Sequence, residues 1–141
     1  MIPLKVENQF VFSDKERNIE VYIKREDLIH PFVSGNKFRK LKYNLAEAKK
    51  QNCKTLLTFG GAFSNHIAAL AFAGKAEGFK TIGIIRGDEL AEKINNNATL
   101  KFASENGMHF EFVSREIYRS KTDEAFLLSL KQKFGDFYLI P

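Results

Sequence analysis

Two short segments carry side chains whose types and spacing could do chemistry. The first is Ser34-Gly35-Asn36-Lys37-Phe38-Arg39-Lys40-Leu41. Apolar spacing from Lys37 onward predicts a helix, so Lys37 falls in its first turn, near the positive end of the helix dipole. That setting works against an ammonium group and helps supply a neutral amine, which Schiff-base formation with an aldehyde requires. Gly35 lets backbone approach a ligand closely, and Lys40, three residues on, shares a helix face with Lys37. Taken alone, the octapeptide reads better as exposed helix surface in a lysine-rich chain.

The second segment is Thr58-Phe59-Gly60-Gly61-Ala62-Phe63-Ser64-Asn65-His66. It reads as a strand, a glycine turn and a helix start, which together offer free backbone N–H groups to an anion. Ser64 adds a hydroxyl, and Asn65 adds a donor and an acceptor. Alone, it is equally ordinary strand-to-helix punctuation with Ser64 or Asn65 as N-cap. It is neither a P-loop nor a dinucleotide fingerprint, because Gly-x-x-x-x-Gly-Lys and Gly-x-Gly-x-x-Gly are both missing. Elsewhere, His30, His66 and His109 lack metal-ligand spacing, so no metal site is expected. Glu26-Asp27 reads as a solvated acidic pair rather than a catalytic one, and Arg86-Gly87-Asp88-Glu89 as a surface turn. The 14 phenylalanines are spaced like core, not like a platform for stacking bases.

The elements that must position these residues alternate. A strand is predicted over 19–24, followed by a polar loop over 25–36 containing Pro31 and Gly35. Phe38, Leu41, Leu45 and Ala48 recur at helical spacing and predict a helix over 37–51, capped by Ser34 or Asn36. A strand over 55–59 leads into a helix over 64–77, apolar almost all round and stopped by Gly78. Further strands are expected over 81–85, 108–113 and 137–140. Helices are expected over 97–105 and over 122–134, the latter turning Ala125, Phe126, Leu130 and Phe134 inward. This order predicts an α/β fold, an open parallel sheet with flanking helices and right-handed crossovers. Ligands in such sheets sit at the carboxyl ends of strands, where residues 60–66 fall.

The 141-residue length fits one domain, and 44% hydrophobic with 28% charged residues is an ordinary globular mixture. No run approaches the roughly 20 apolar residues of a membrane span. Met1-Ile2-Pro3-Leu4-Lys5 does not resemble a secretory leader. Cys53 is the only cysteine, which excludes an internal disulfide and a Cys-x-x-Cys pair. A cytoplasmic location is expected. The net charge of +5 comes from lysines and arginines interspersed with Glu and Asp along the predicted helices. A solvated surface is therefore expected, with neither nucleic acid nor membrane as partner.

Lys24-Arg25-Glu26-Asp27-Leu28, the Ser34–Leu41 segment and Gly60-Gly61-Ala62-Phe63-Ser64-Asn65-His66 occur in that order. In this the chain resembles the 1-aminocyclopropane-1-carboxylate deaminase and D-cysteine desulfhydrase family, whose members share the tryptophan-synthase-β-like fold of pyridoxal-phosphate enzymes. The resemblance covers nearly the whole chain and is strongest over 21–86. It implies pyridoxal 5'-phosphate as cofactor, joined to Lys37 as a Schiff base, with Lys40 near its phosphate and Asn65 bonded to its 3'-oxygen. It implies that Ser64, with the backbone amides of Asn65 and His66, holds the substrate carboxylate, and that Ser64 also acts directly in catalysis. The implied reaction takes a small amino acid, uses the freed Lys37 to move protons, and releases ammonia and a 2-oxo acid. With D-cysteine, sulfide leaves as well. Classed as lyase or hydrolase, such an enzyme is expected to be a homodimer when intact.

Two departures stand out. Phe63 occupies a position that is commonly polar in the family. Family members are also roughly twice this length. Residues 1–36 would belong to a large domain whose C-terminal half is absent, and 37–141 to a small α/β domain. The abrupt ending at Leu139-Ile140-Pro141 reads as a fragment, expected to be inactive by itself. Which amino acid is the substrate stays open. The competing reading is a non-catalytic α/β domain that binds a partner chain or a small anion.

Overall fold

The stripe Phe38, Leu41, Leu45 and Ala48 is buried along one face of α1 (Gly35–Lys50), as its spacing predicts. The computed structural model describes residues 5–141; Met1 to Leu4, most of the stretch considered above as a leader, lie outside the described residues. α1 begins two residues before the expected start. Gly35 opens it at φ 57°, a left-handed conformation suited to glycine. Ser34 fills the N-cap position without the expected side-chain cap bond, and Asn36 lies inside the first turn.

The remaining elements follow in alternation. They are β3 (Thr55–Gly61), α2 (Asn65–Ala76), β4 (Lys80–Arg86), α3 (Ala98–Glu105), β5 (His109–Val113), α4 (Arg115–Arg119), α5 (Glu124–Phe134) and β6 (Tyr138–Ile140). A 3-10 segment, Asp88–Asn96, joins β4 to α3. The four strands form one parallel sheet in the order β5-β4-β3-β6. β4 and β5 add outward from β3 on one side, whereas β6 returns to its other side. β3 is therefore where the strand order reverses, the place at which open α/β sheets hold ligands beyond their strand ends.

Alternating residues divide the core between the two faces of the sheet. Leu56 and Ile85 pack in the cluster that holds α1, α2 and α3. Leu57, Ile82 and Ile84 pack with Leu130, Phe126 and Phe134 of α5. α2 is buried along most of its surface, including Gly74. A Cβ at Gly74 would overlap the Cγ2 of Thr81, a β-branched residue fixed in the buried strand β4. Gly74→Ala is therefore expected to lower stability by about 1–2 kcal/mol, overpacking outweighing the better helix propensity of alanine. A lower urea midpoint at unchanged slope would show it.

Three expectations are corrected. The 122–134 helix starts at Glu124, and Ala125 faces solvent while Phe126, Leu130 and Phe134 pack inward. Residues 115–119 form the short helix α4, which the spacing did not predict. The strand over 19–24 is β2 (Ile19–Lys24) of an antiparallel hairpin with β1 (Asn8–Asp14), a strand not expected at all. Phe10, Val11 and Phe12 sit consecutively in β1, and a register shift between Phe10 and Phe12 disrupts the alternation that would mark it. Among the described residues, no helix is long and apolar enough to cross a membrane.

Candidate active site

The site begins where the first turns of α1 and α2 meet. Lys37 and Asn65, on separate helices, line one cavity of about 450 Å3 together with Ser34, Gly35, Asn36 and Asp27. Ala68 and Ala69 floor it with small side chains, and Phe32 closes an edge. Phe32 is held by ring contacts to Phe72 and Phe102, with centroids 4.8 Å and 5.5 Å away. His30 fixes the turn behind it, its Nδ1 accepting the N–H groups of Phe32 and Val33, both at 3.1 Å.

The acidic pair below the cavity is structural. Arg39 of α1 donates to Glu26 at 2.8 Å, and Arg25 donates to Asp27 at 2.7 Å. The Arg39 hydrogen bond holds the Glu26 carboxyl below its ordinary range, and Arg25 does the same for Asp27. Both groups stay ionised, which suits struts rather than acids. Arg25 also reaches Gln9 in β1, so these bonds tie the hairpin and the loop to the helix that carries Lys37.

The turn from β3 into α2 depends on Gly60. A Cβ there would lie 2.5 Å from Cγ1 of buried Ile67, so the close approach of turn and helix needs glycine. Ser64 caps α2, its Oγ accepting the His66 N–H at 3.3 Å. The His66 amide, expected to meet a substrate carboxylate, thus already has an internal partner. Asn65 is exposed at the cavity, and Phe63 projects from the turn with 80% of its surface free.

The His66 side chain is buried, and its protonation follows from its neighbours. Thr58 Oγ1 donates to the Ile140 carbonyl at 3.0 Å, which uses its only proton. His66 Nε2 lies 3.0 Å from the same oxygen and must therefore donate to it. The proton sits on Nε2, leaving Nδ1 as a buried acceptor with no partner among the described residues. Burial pushes the imidazole down to about 4, helped by the charges of Lys40 and Lys37. His66 is neutral at physiological pH and contributes no competing cation beside Lys37.

Of the expected site residues, Lys37 and Asn65 share the first cavity. Ser64 lines a second cavity across the turn, about 600 Å3 in volume, with Gly61, Phe63, Arg86, Leu90 and Arg115. Lys40 is exposed one turn along α1, and His66 is buried behind the turn; neither lines the cavity with Lys37. Sequence reasoning missed Thr58, Arg86 and Arg115. Arg86 reads in the sequence as part of a surface turn, whereas it is the last residue of β4.

No protein-family model matches the chain. It is 37% identical over 124 residues to a Thermotoga maritima protein named for 1-aminocyclopropane-1-carboxylate deaminase, a match covering 86% of this chain and 38% of that one. It is 34% identical over 116 residues to the mitochondrial bifunctional D-cysteine desulfhydrase/1-aminocyclopropane-1-carboxylate deaminase of Arabidopsis thaliana, covering 81% of this chain and 29% of that one. The crystal structure of an ACC deaminase homologue superimposes with a TM-score of 0.73 at 28% identity, over 99% of this chain and 42% of that one. The chain is homologous to part of the 1-aminocyclopropane-1-carboxylate deaminase and D-cysteine desulfhydrase family. It spans two-fifths or less of the length of the curated deaminase and desulfhydrase relatives given above. The expected α/β fold with its parallel sheet is the fold of the deaminase homologue.

Proposed function

We propose that Lys37 is the attachment point of pyridoxal 5'-phosphate and that the chain supplies it to a deaminase or desulfhydrase acting on a small amino acid. One observation carries this reading: Lys37 and Asn65, brought from different helices, line one cavity beside the carboxyl end of β3, where the strand order reverses. The cavity, about 450 Å3, is within the range of small-molecule sites, about 300–1,000 Å3. Its residues fit the cofactor, offering an amine for the aldehyde, an amide for the ring oxygen and small alanines beneath. A Cβ at Gly35 would meet no atom within 4 Å, so the backbone there is open to a ligand.

Bound there, the cofactor supplies an electron sink for a carbanion at the amino acid. Asn65 would hold its ring oxygen, and Lys40, exposed one turn along α1, would add positive charge on the phosphate side. Ser64 and the Asn65 amide would hold the substrate carboxylate, joined by the His66 amide once it gives up its bond to Ser64 Oγ, with Ser64 acting directly as well. Lys37 Nζ, where it is not joined to the cofactor, would carry a proton to or from the substrate. One water is consumed and ammonia and a 2-oxo acid leave, with sulfide as well where the substrate is D-cysteine. The relatives are named as deaminase and desulfhydrase, so "hydrolase" is too loose a class. A small-domain role for 37–141, a large-domain role for 1–36, a cytoplasmic setting and a homodimer of the longer protein belong to the same reading. So does inactivity of the chain alone, supported by the much greater length of the relatives.

Titration with pyridoxal phosphate tests the assignment through the visible absorption of the Schiff base. The wild type is expected to saturate at a single site, and Lys37→Ala to lose that saturable component. Identical titrations for the two proteins would contradict it.

A further inference from the structure

We propose that the cavity between Arg86 and Arg115 is a binding site for an anionic group, a carboxylate or sulfonate, on the side chain of the amino-acid substrate. This rests on the proposed function for the placement of the substrate's α-carboxylate at Ser64 and of its amine toward Lys37.

Three strand ends build the site. Gly61, Arg86 and Val113 are in register across the parallel strands β3, β4 and β5, and Arg115 follows Val113 by two residues. The parallel sheet therefore delivers Arg86 and Arg115 to the edge that carries the Ser64 turn. Gly87 locks this edge by donating its N–H to the Val113 carbonyl at 2.8 Å.

Arg86 is pre-positioned for a ligand. Its guanidinium lies over the Tyr118 ring, 5.8 Å from the centroid, and Tyr118 is itself set edge-on against Phe59. No carboxylate pairs with Arg86 among the described residues. Arg115 shares part of its charge with Glu89, at 3.0 Å, the one acidic contact that offsets the pair among the described residues. Guanidinium groups present donors in a planar fork that matches carboxylate and sulfonate oxygens. Phe63 and Leu90 add apolar walls. A Cβ at Gly61 would meet no atom within 4 Å, so the backbone leaves room there. Ser64 faces this cavity while Asn65 faces the cavity of Lys37. A substrate gripped at the turn can thus present its amine toward Lys37 and its side chain toward Arg86. Phe63, where the family commonly has a polar residue, then serves as a wall of the side-chain pocket.

The test uses the intact chain with two probes at constant ionic strength, sodium sulfate and the amino-acid pair aspartate and alanine in both enantiomers. Backbone amide NMR shifts report binding. Sulfate is expected to shift the amides of Gly61 to Ser64 and Arg86 saturably, and Arg86→Gln to weaken it about tenfold through loss of charge-assisted hydrogen bonds. Glu89→Gln, which releases Arg115, is expected to tighten it severalfold. Opposite responses of the two variants cannot come from unfolding. One enantiomer of aspartate should outbind the matching alanine. Shifts that fail to saturate, or that ignore both substitutions, overturn the proposal, as does equal binding of aspartate and alanine. Pyridoxal-phosphate uptake at Lys37 is read separately. Sulfate binding that follows Arg86 without such uptake upholds the pocket and sinks the cofactor reading. Normal uptake with no anion response overturns the pocket and leaves the cofactor reading standing.

Discussion

Phe38→Ala is expected to lower the free energy of unfolding by about 3–5 kcal/mol, the usual loss for emptying a buried aromatic site. Phe38 is 1% exposed and sits directly after Lys37, on the buried face of α1 that it shares with Leu41 and that joins the core cluster of Ile29 and Val33. α2 packs on the same cluster through Ile67 and Leu70. The phenylalanine is thus the anchor that sets the height of Lys37 against Asn65. With that anchor removed, the cavity left behind closes only partly, and the first turn of α1 loses its fixed position. Two consequences follow for measurement. The urea midpoint falls, and uptake of pyridoxal phosphate weakens although Lys37 itself is intact. A midpoint within error of the wild type would show that α1 is not held as described.

Acidification from neutral pH is expected to remove up to about 3 kcal/mol of stability through His66 alone. Its folded value is depressed from 6.5 to about 4, chiefly by burial and secondarily by Lys40 and Lys37. The unfolded chain therefore binds a proton at higher pH than the folded chain does. The stabilisation is complete above about 6.5, declines as pH falls, and is gone below about 4. Protonating Nδ1 would place a cation in a buried site with no acceptor among the described residues, while Nε2 stays committed to Thr58. The carboxylates of Asp14 and Asp27 ordinarily titrate at 3.8 and those of Glu26 and Glu77 at 4.5; all four are held below those values here, so their contributions begin to fall only as pH approaches the ordinary values. Unfolding free energies between pH 7 and about 5.5, above the ordinary range of the carboxylates, therefore report chiefly the histidine. His66→Gln, which keeps a donor for Thr58 but does not titrate, should flatten the profile. A wild-type profile already flat in that window would refute the neutral, buried imidazole.

Local periodicity made much of the fold legible. Phe38, Leu41, Leu45 and Ala48 mark α1 because its single buried face repeats every three to four residues. Lys37 and the Ser64-Asn65 turn were visible because glycines and capping residues mark where chains start helices. Long-range pairing was not legible. Nothing near Thr58 says that Ile140 will lie beside it, yet that contact determines which nitrogen of His66 carries the proton. Arg86 and Arg115 likewise become neighbours only through the register of three parallel strands. β1 escaped notice because its exposed residues and its irregular pairing leave no clean alternation. Ala125 lies about 100° round the helix from Phe126, so the four-residue repeat Phe126, Leu130 and Phe134 that meets the sheet turns it to solvent.

The central claim, that Lys37 is the cofactor lysine, is tested most directly by mapping. The chain is mixed with pyridoxal phosphate, the adduct is fixed with borohydride, and the modified lysines are located by peptide mass spectrometry. The account predicts an adduct concentrated on Lys37. An adduct spread over the surface lysines, with the same pattern in Lys37→Ala at every other position and the same total, would contradict it.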